Sequence, residues 1–154
     1  MIILFVIVFI IFIMMDSSVI YDGFRQNFTT KVIGYDFDDC LQRVDDREPI
    51  KEVMDRLFND LSNGYKVVII TSRSANGLPE IYRFLQKHGI YDKIDVYHTG
   101  NNSSRRKSPL IKQLNVSTFY DDQDGYLQDV KINAPHVELY QTDPSSSPVI
   151  KRYY

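Results

Sequence analysis

Two pairs of aspartates, Asp36 and Asp38 in YDFDDC and Asp121 and Asp122 in FYDDQDG, have the type and spacing to do chemistry. Close carboxylates repel one another. They are tolerated together where a divalent cation neutralises them, and Mg²⁺ takes oxygen ligands of this kind. Two apart on an extended segment, Asp36 and Asp38 are expected to project to the same side. A single acidic pair is better explained by a solvated turn or a helix cap, but two pairs, each directly after an apolar run, point to one shared site. Thr71-Ser72-Arg73-Ser74 adds hydroxyls and a cation suited to phosphate oxygens, with Ser72 or Ser74 also suited to capping the following helix. Lys107, just ahead of Ser108-Pro109, reads by type alone as a solvated surface lysine.

The elements that must position these residues alternate regularly from Lys31 onward. Short β-branched or aromatic runs predict strands over Lys31 to Asp36, Lys66 to Thr71, Ile94 to Tyr97, Thr118 to Asp121 and His136 to Tyr140. Between them, over Pro49 to Leu61, Ile50, Val53, Met54, Leu57, Phe58 and Leu61 recur at helical spacing before an Asn63-Gly64 stop, and over Leu78 to Lys87, Ile81, Phe84 and Leu85 do so before His88-Gly89. Pro109 to Leu114 and Tyr126 to Ile132 read as shorter helices. The order predicts a three-layer αβα, Rossmann-like α/β fold with a mostly parallel, five-stranded sheet, whose ligands bind beyond the carboxyl ends of the strands. Every acidic pair, Thr71 included in its own cluster, falls at such an end.

These four stations together resemble the haloacid dehalogenase-like superfamily, whose first motif is an apolar strand ending in DxDx(T/V), here VIGYDFDDCL. The resemblance spans about Lys31 to Tyr140. It implies that Asp36 is the nucleophile of a Mg²⁺-dependent phosphomonoester hydrolase working through an aspartyl-phosphate, with Asp38 as general acid/base. It further implies that Thr71 in VVIITSR is the second-motif hydroxyl, with Ser72 and Arg73 beside it on the substrate, and that Lys107 in KSPLIKQL is the third-motif lysine. FYDDQDG would be the fourth motif. The Mg²⁺ ligands implied are Asp36, Asp38 through its backbone carbonyl, and either Asp121 or Asp122, with Asp122 favoured by aligning the strand ends. Cys40 stands where the pattern usually has Thr or Val, and Asp124 and Asp129 miss the commonest spacing of a further acid.

The stretches from Asp38 to Thr71 and from Thr71 to Lys107 are too short for a large cap domain. An uncapped site favours a large substrate, a nucleic-acid end or a phosphoprotein. The run Arg105-Arg106-Lys107 resembles the backbone-tracking basic segments of polynucleotide 3′-phosphatase modules, although a solvated charged loop accounts for Arg105 and Arg106 as well. The rival from another class is a catalytically weak binding protein that keeps the fold, tethered through its N-terminus.

At 154 residues with a formal charge of −2, the chain suits one domain and has no global attraction for nucleic acid. Cys40 is the sole cysteine, so a cysteine-built zinc site and an internal disulfide are excluded, and a reducing compartment fits. Cys40 and Arg47 are one residue too far apart for a cysteine-phosphatase loop, no GxxxxGK(S/T) is present, and His88, His98 and His136 are too dispersed for a metal site. Residues 1–21 open with the apolar run Met1 to Met15, which at ~1.5 Å per residue reaches ~22 Å, short of a ~30 Å hydrocarbon core. An anchor touching the membrane through residues 1–15, an uncleaved signal anchor and a dispensable extension all stay open. The expectation for location is a catalytic domain, residues 31–142, facing the cytoplasm, followed by a tail over 143–154 that begins with the loop-like DPSSSP.

Overall fold

The computed structural model describes residues 30–100 and 107–154. The expected alternation is present. In chain order the elements are β1 (Val32–Tyr35), α1 (Lys51–Ser62), β2 (Lys66–Thr71), α2 (Leu78–Lys87), β3 (Asp95–His98), α3 (Lys107–Gln113), β4 (Val116–Asp121), α4 (Asp124–Asn133), β5 (Glu138–Thr142) and β6 (Ile150–Arg152). One turn of 3₁₀ helix, Ala75–Gly77, leads into α2. The strands form a single sheet in the order β3-β2-β1-β4-β5-β6, parallel throughout except for β5 and β6.

Strand alternation divides the apolar residues between two cores. Val67 and Ile69 of β2, with Ile33, Tyr35 and Tyr120, pack under Val53, Met54 and Leu57 of α1 and Ile81 and Leu85 of α2. Val68 and Ile70, with Phe119 and Leu139, pack under Ile111 of α3 and Leu127 and Val130 of α4. Period two in a strand and 3.6 in a helix put each set on one face, and each buried Leu or Ile adds about 1.5–3 kcal/mol. The Asn63-Gly64 stop behaves as its residue types require: Gly64 adopts φ +74°, and the Asn63 side-chain amide donates to the Asn59 carbonyl at 2.9 Å. Gly34 is required by close packing, since a Cβ there would lie 2.8 Å from Cδ2 of Phe119.

The sheet has six strands where the pattern predicted five. The additional strand, β6, lies in the segment expected to be a tail and runs antiparallel to β5, pairing Thr142 with Ile150 and Tyr140 with Arg152. Glu52 of α1 holds its entry, its carboxylate accepting from the Val149 and Ile150 amides at 3.2 Å each. No cap domain interrupts the described residues. The segment 36–50 after β1 is a compact loop pinned by bridges between Asp38 and Gln42 and between Gln42 and Pro49.

β1 lies between β2 and β4, and the chain leaves β1 toward one side of the sheet and fills the other side only after β3. The crevice between β1 and β4 is therefore the switch point of the sheet, where their carboxyl ends can meet a ligand. The apolar run Met1 to Met15 and the pair Arg105 and Arg106 lie outside the described residues. Among the described residues, no helix is long and apolar enough to cross a membrane.

Candidate active site

Asp36 follows the last residue of β1, and its amide donates to the Tyr120 carbonyl of β4 at 2.8 Å. That bond sets the end of β1 beside Asp121, the last residue of β4. Asp36, Asp121 and Asp122 each present a carboxylate oxygen within 4.8 Å of the others. Both acids of the second pair thus approach Asp36, with Asp121 fully buried and Asp122 half-buried.

Lys107 is fully buried, not solvated, and is the first residue of α3. Its Nζ donates to Asp36 Oδ1 at 2.6 Å and to Asp121 Oδ2 at 2.7 Å, and lies 4.4 Å from the centre of the Tyr126 ring. Burial alone would lower the lysine, but Asp36 and Asp121 outweigh it and hold the ammonium above its ordinary range. Burial is also what pushes Asp36 up, to about 7, with Lys107 opposing and Asp121 adding to the rise. For Asp122, burial followed by the charges of Asp36 and Asp121 raises the carboxyl to about 8.

When all three acids are ionised, three carboxylates against one ammonium leave two negative charges in a largely buried crevice, an all-oxygen set that fits a divalent cation such as Mg²⁺. The raised carboxyls make ion binding compete with protons. Both are charged only above about 7 to 8, so Mg²⁺ is expected to raise the melting temperature strongly at pH 8. At pH 6 its affinity should be weaker by on the order of 100-fold, because two protons must leave. Titrating the thermal shift against Mg²⁺ at the two pH values checks this, and equal affinities would rule out these acids as the ligands.

Asp38 is placed differently from Asp36. β1 ends at Tyr35, so both acids lie beyond the strand, where the backbone turns with Leu41 and Gln42 amides donating to the Phe37 carbonyl and Asp39 at φ +51°. The Asp38 carboxylate is outside the three-acid cluster and is gripped by Arg73, whose Nε and Nη2 donate to its two oxygens at 2.8 and 2.5 Å. Asp39 accepts from the Val44 amide, and Asp124 from the Tyr153 hydroxyl at 2.5 Å, so each has a local task.

Thr71 ends β2, fully buried, and its Oγ1 accepts from the Arg73 amide at 3.2 Å. Ser72 and Ser74 do not cap α2: Ser74 stands at the start of the 3₁₀ turn without a side-chain cap bond, and Gly77 is the N-cap of α2, with Pro79 in its first turn. Cys40 is buried beneath the site, its thiol donating to the Tyr120 carbonyl at 3.7 Å. Burial, then Asp36 and Asp121, push that thiol up, which suits packing and not nucleophilic attack. His98 is exposed at the end of β3.

One residue beside the site gave no signal in the sequence. Glu80, in the first turn of α2, accepts from Arg73 Nη1 at 2.7 Å and from Arg47 Nη1 at 2.5 Å. An acid in a helix's first turn is so ordinary that only the contact reveals it. From Asp122 an open groove of about 600 Å³ runs past Asp39, Arg43, Gln141, Asp143 and Lys151.

No protein-family model matches the chain, and no curated protein matches it. Two solved structures share its fold, one described as the Pnkp1/Rnl/Hen1 complex and the other as the Pnkp1/Rnl/Hen1 RNA repair complex. The first is 20% identical with a TM-score of 0.57, over 75% of this chain and 47% of that one. The second is 20% identical with a TM-score of 0.58, over 73% of this chain and 42% of that one. This chain therefore spans less than half the length of the chains it matches, and at this identity what it shares with them is the α/β architecture.

Proposed function

We propose that this chain is a Mg²⁺-dependent phosphomonoester hydrolase of the haloacid dehalogenase-like kind, acting on phosphate at a nucleic-acid end. The observation that carries the reading is the buried ion pair of Lys107 with Asp36 and Asp121, set against Asp122 at the switch point of the sheet. A lysine with no exposed surface and two carboxylate partners is costly to build and suits a site that must hold an anionic nucleophile next to an anionic substrate.

In this scheme a carboxylate oxygen of Asp36 attacks phosphorus as the bond from phosphorus to the leaving oxygen breaks, and Asp38 gives that oxygen its proton. Asp38 then takes a proton from a water whose oxygen attacks the aspartyl-phosphate. The bond from phosphorus to Asp36 breaks, releasing inorganic phosphate and restoring both acids. Lys107 keeps the Asp36 carboxylate aimed, and Thr71, Ser72 and Arg73 would receive phosphate oxygens. Asp36, Asp121 and Asp122 would hold Mg²⁺, which when bound neutralises charge on the phosphoryl oxygens.

The RNA repair description of the fold's neighbours supports a nucleic-acid substrate, and the open groove beside Asp122 leaves room for more than the phosphate itself. Phosphoprotein is the other substrate class that an uncapped site admits. The test is phosphate release from p-nitrophenyl phosphate and from a 3′-phosphorylated oligonucleotide, with Mg²⁺ and with EDTA. Mg²⁺-dependent release, faster from the oligonucleotide, is expected. A folded protein that binds Mg²⁺ and turns over neither compound is instead a binding module.

A further inference from the structure

Four charged side chains form a continuous chain along the rim of the site: Asp38, Arg73, Glu80 and Arg47. Arg73 is at its centre. Its guanidinium is largely buried over the Phe37 ring, 5.0 Å from the ring centre, and beside Gly77, where an added Cβ would lie 3.1 Å from the Arg73 Cδ. One edge of the guanidinium, Nε and Nη2, is fully given to Asp38. The other edge is held by Glu80 at 2.7 Å, with the Gly77 carbonyl a weaker second acceptor at 3.5 Å, and Glu80 sits in the first turn of α2 where backbone amides favour an acid.

This arrangement poses a problem for Asp38. A carboxylate held in a bidentate pair with a guanidinium stays ionised, and has no proton to give a leaving-group oxygen until the pair opens. The edge that holds it is also the edge that matches two oxygens of a phosphate. An incoming phosphate can therefore exchange with Asp38 on Arg73, but only if the guanidinium stays in place during the exchange. Among the described contacts, Glu80 is the only side-chain acceptor on the edge facing away from Asp38.

Resting on the phosphohydrolase reading above, we propose that Glu80 is a positioning residue: it pivots Arg73 so that substrate phosphate displaces Asp38 from the guanidinium and frees it to serve the leaving group. Glu80 touches neither substrate nor reacting atoms. Its second partner, Arg47, belongs to the loop after β1, where its backbone N–H donates a hydrogen bond to the Arg43 carbonyl at 3.2 Å, so the pivot also links that loop to α2.

The discriminating measurement is leaving-group dependence in Glu80→Gln, made in the full chain. p-Nitrophenolate departs without help from an acid, whereas the alkoxide of β-glycerophosphate does not. Loss of Asp38 delivery should therefore lower kcat/KM for β-glycerophosphate by roughly tenfold more than for p-nitrophenyl phosphate, a share of the 10²–10⁴ range of general acid catalysis. Glu80→Asp, which keeps the charge, should recover part of the difference, and the melting temperature should change little because the Glu80 side chain is 31% exposed. Equal losses on both substrates, or no loss, would overturn the proposal while leaving the phosphohydrolase reading intact. If the unaltered chain hydrolyses neither substrate, that reading fails first and this one with it.

Discussion

Replacing Asp36 with asparagine is expected to lower Mg²⁺-dependent phosphate release by roughly 10³-fold or more, the scale seen when a nucleophile is removed, without loss of the fold. The two effects have different causes. Asparagine keeps the shape and an oxygen for the Lys107 ammonium but has no carboxylate to attack phosphorus. Burial already raises Asp36 from 3.8 to about 7, so the folded protein accommodates a neutral side chain at this position more readily than a solvated site would. A carboxyl raised on folding contributes its stability fully below its unfolded value and loses it as pH rises through the folded value. The asparagine keeps that contribution. At pH 8 without metal the variant should accordingly melt at or above the temperature of the unaltered protein. Phosphate release and thermal melts at pH 8 measure the two halves separately, and retained turnover would remove Asp36 as nucleophile.

Lys107→Met carries the largest expected effect on stability. The ammonium has no solvent access and is shared by two carboxylates, one of them equally inaccessible. Removing one partner from such a set leaves buried charge without compensation, which costs about 3–5 kcal/mol. Protonation of Asp36 below about 7 supplies a partial remedy, so the loss should be largest at pH 8 and smaller at pH 5.5. Urea unfolding at the two pH values determines this. A difference that did not grow with pH would mean that Lys107 contributes by packing over Tyr126 and Phe119, not by charge.

Much of the architecture was legible because its signals are local. β2 and α2 fall over the expected residues, Lys66–Thr71 and Leu78–Lys87, since each has an unbroken period and a clear stop. β1, β3, β4 and β5 are present with ends shifted by one or two residues. β6 was not legible: its three residues, Ile150 to Arg152, have no period, and the hydrogen bonds that define it come from β5 and from Glu52. The site shows the same division. Asp36, Asp121 and Asp122 could be read from position because a parallel sheet brings adjacent strand ends together. The partner of Asp38 could not, because Arg73 lies beyond β2, far away in the chain, and no local pattern links the two. Lys107 was placed by its motif alone, and only the fold shows what two carboxylates ask of it.

Tyr35, Tyr120 and Tyr140 come from β1, β4 and β5 as register partners, and their rings stack, the first two at 4.6 Å and 5°, the second two at 5.0 Å and 16°. The first two immediately precede Asp36 and Asp121. The chain has eleven tyrosines and no tryptophan, so its near-ultraviolet optical activity is a tyrosine signal. Rings this close couple their electronic transitions, and the coupling depends on their separation and tilt. The protein thus contains its own chromophore next to the acidic crevice, and small shifts of β1 against β4 as an ion or phosphate arrives can be followed by circular dichroism without any label.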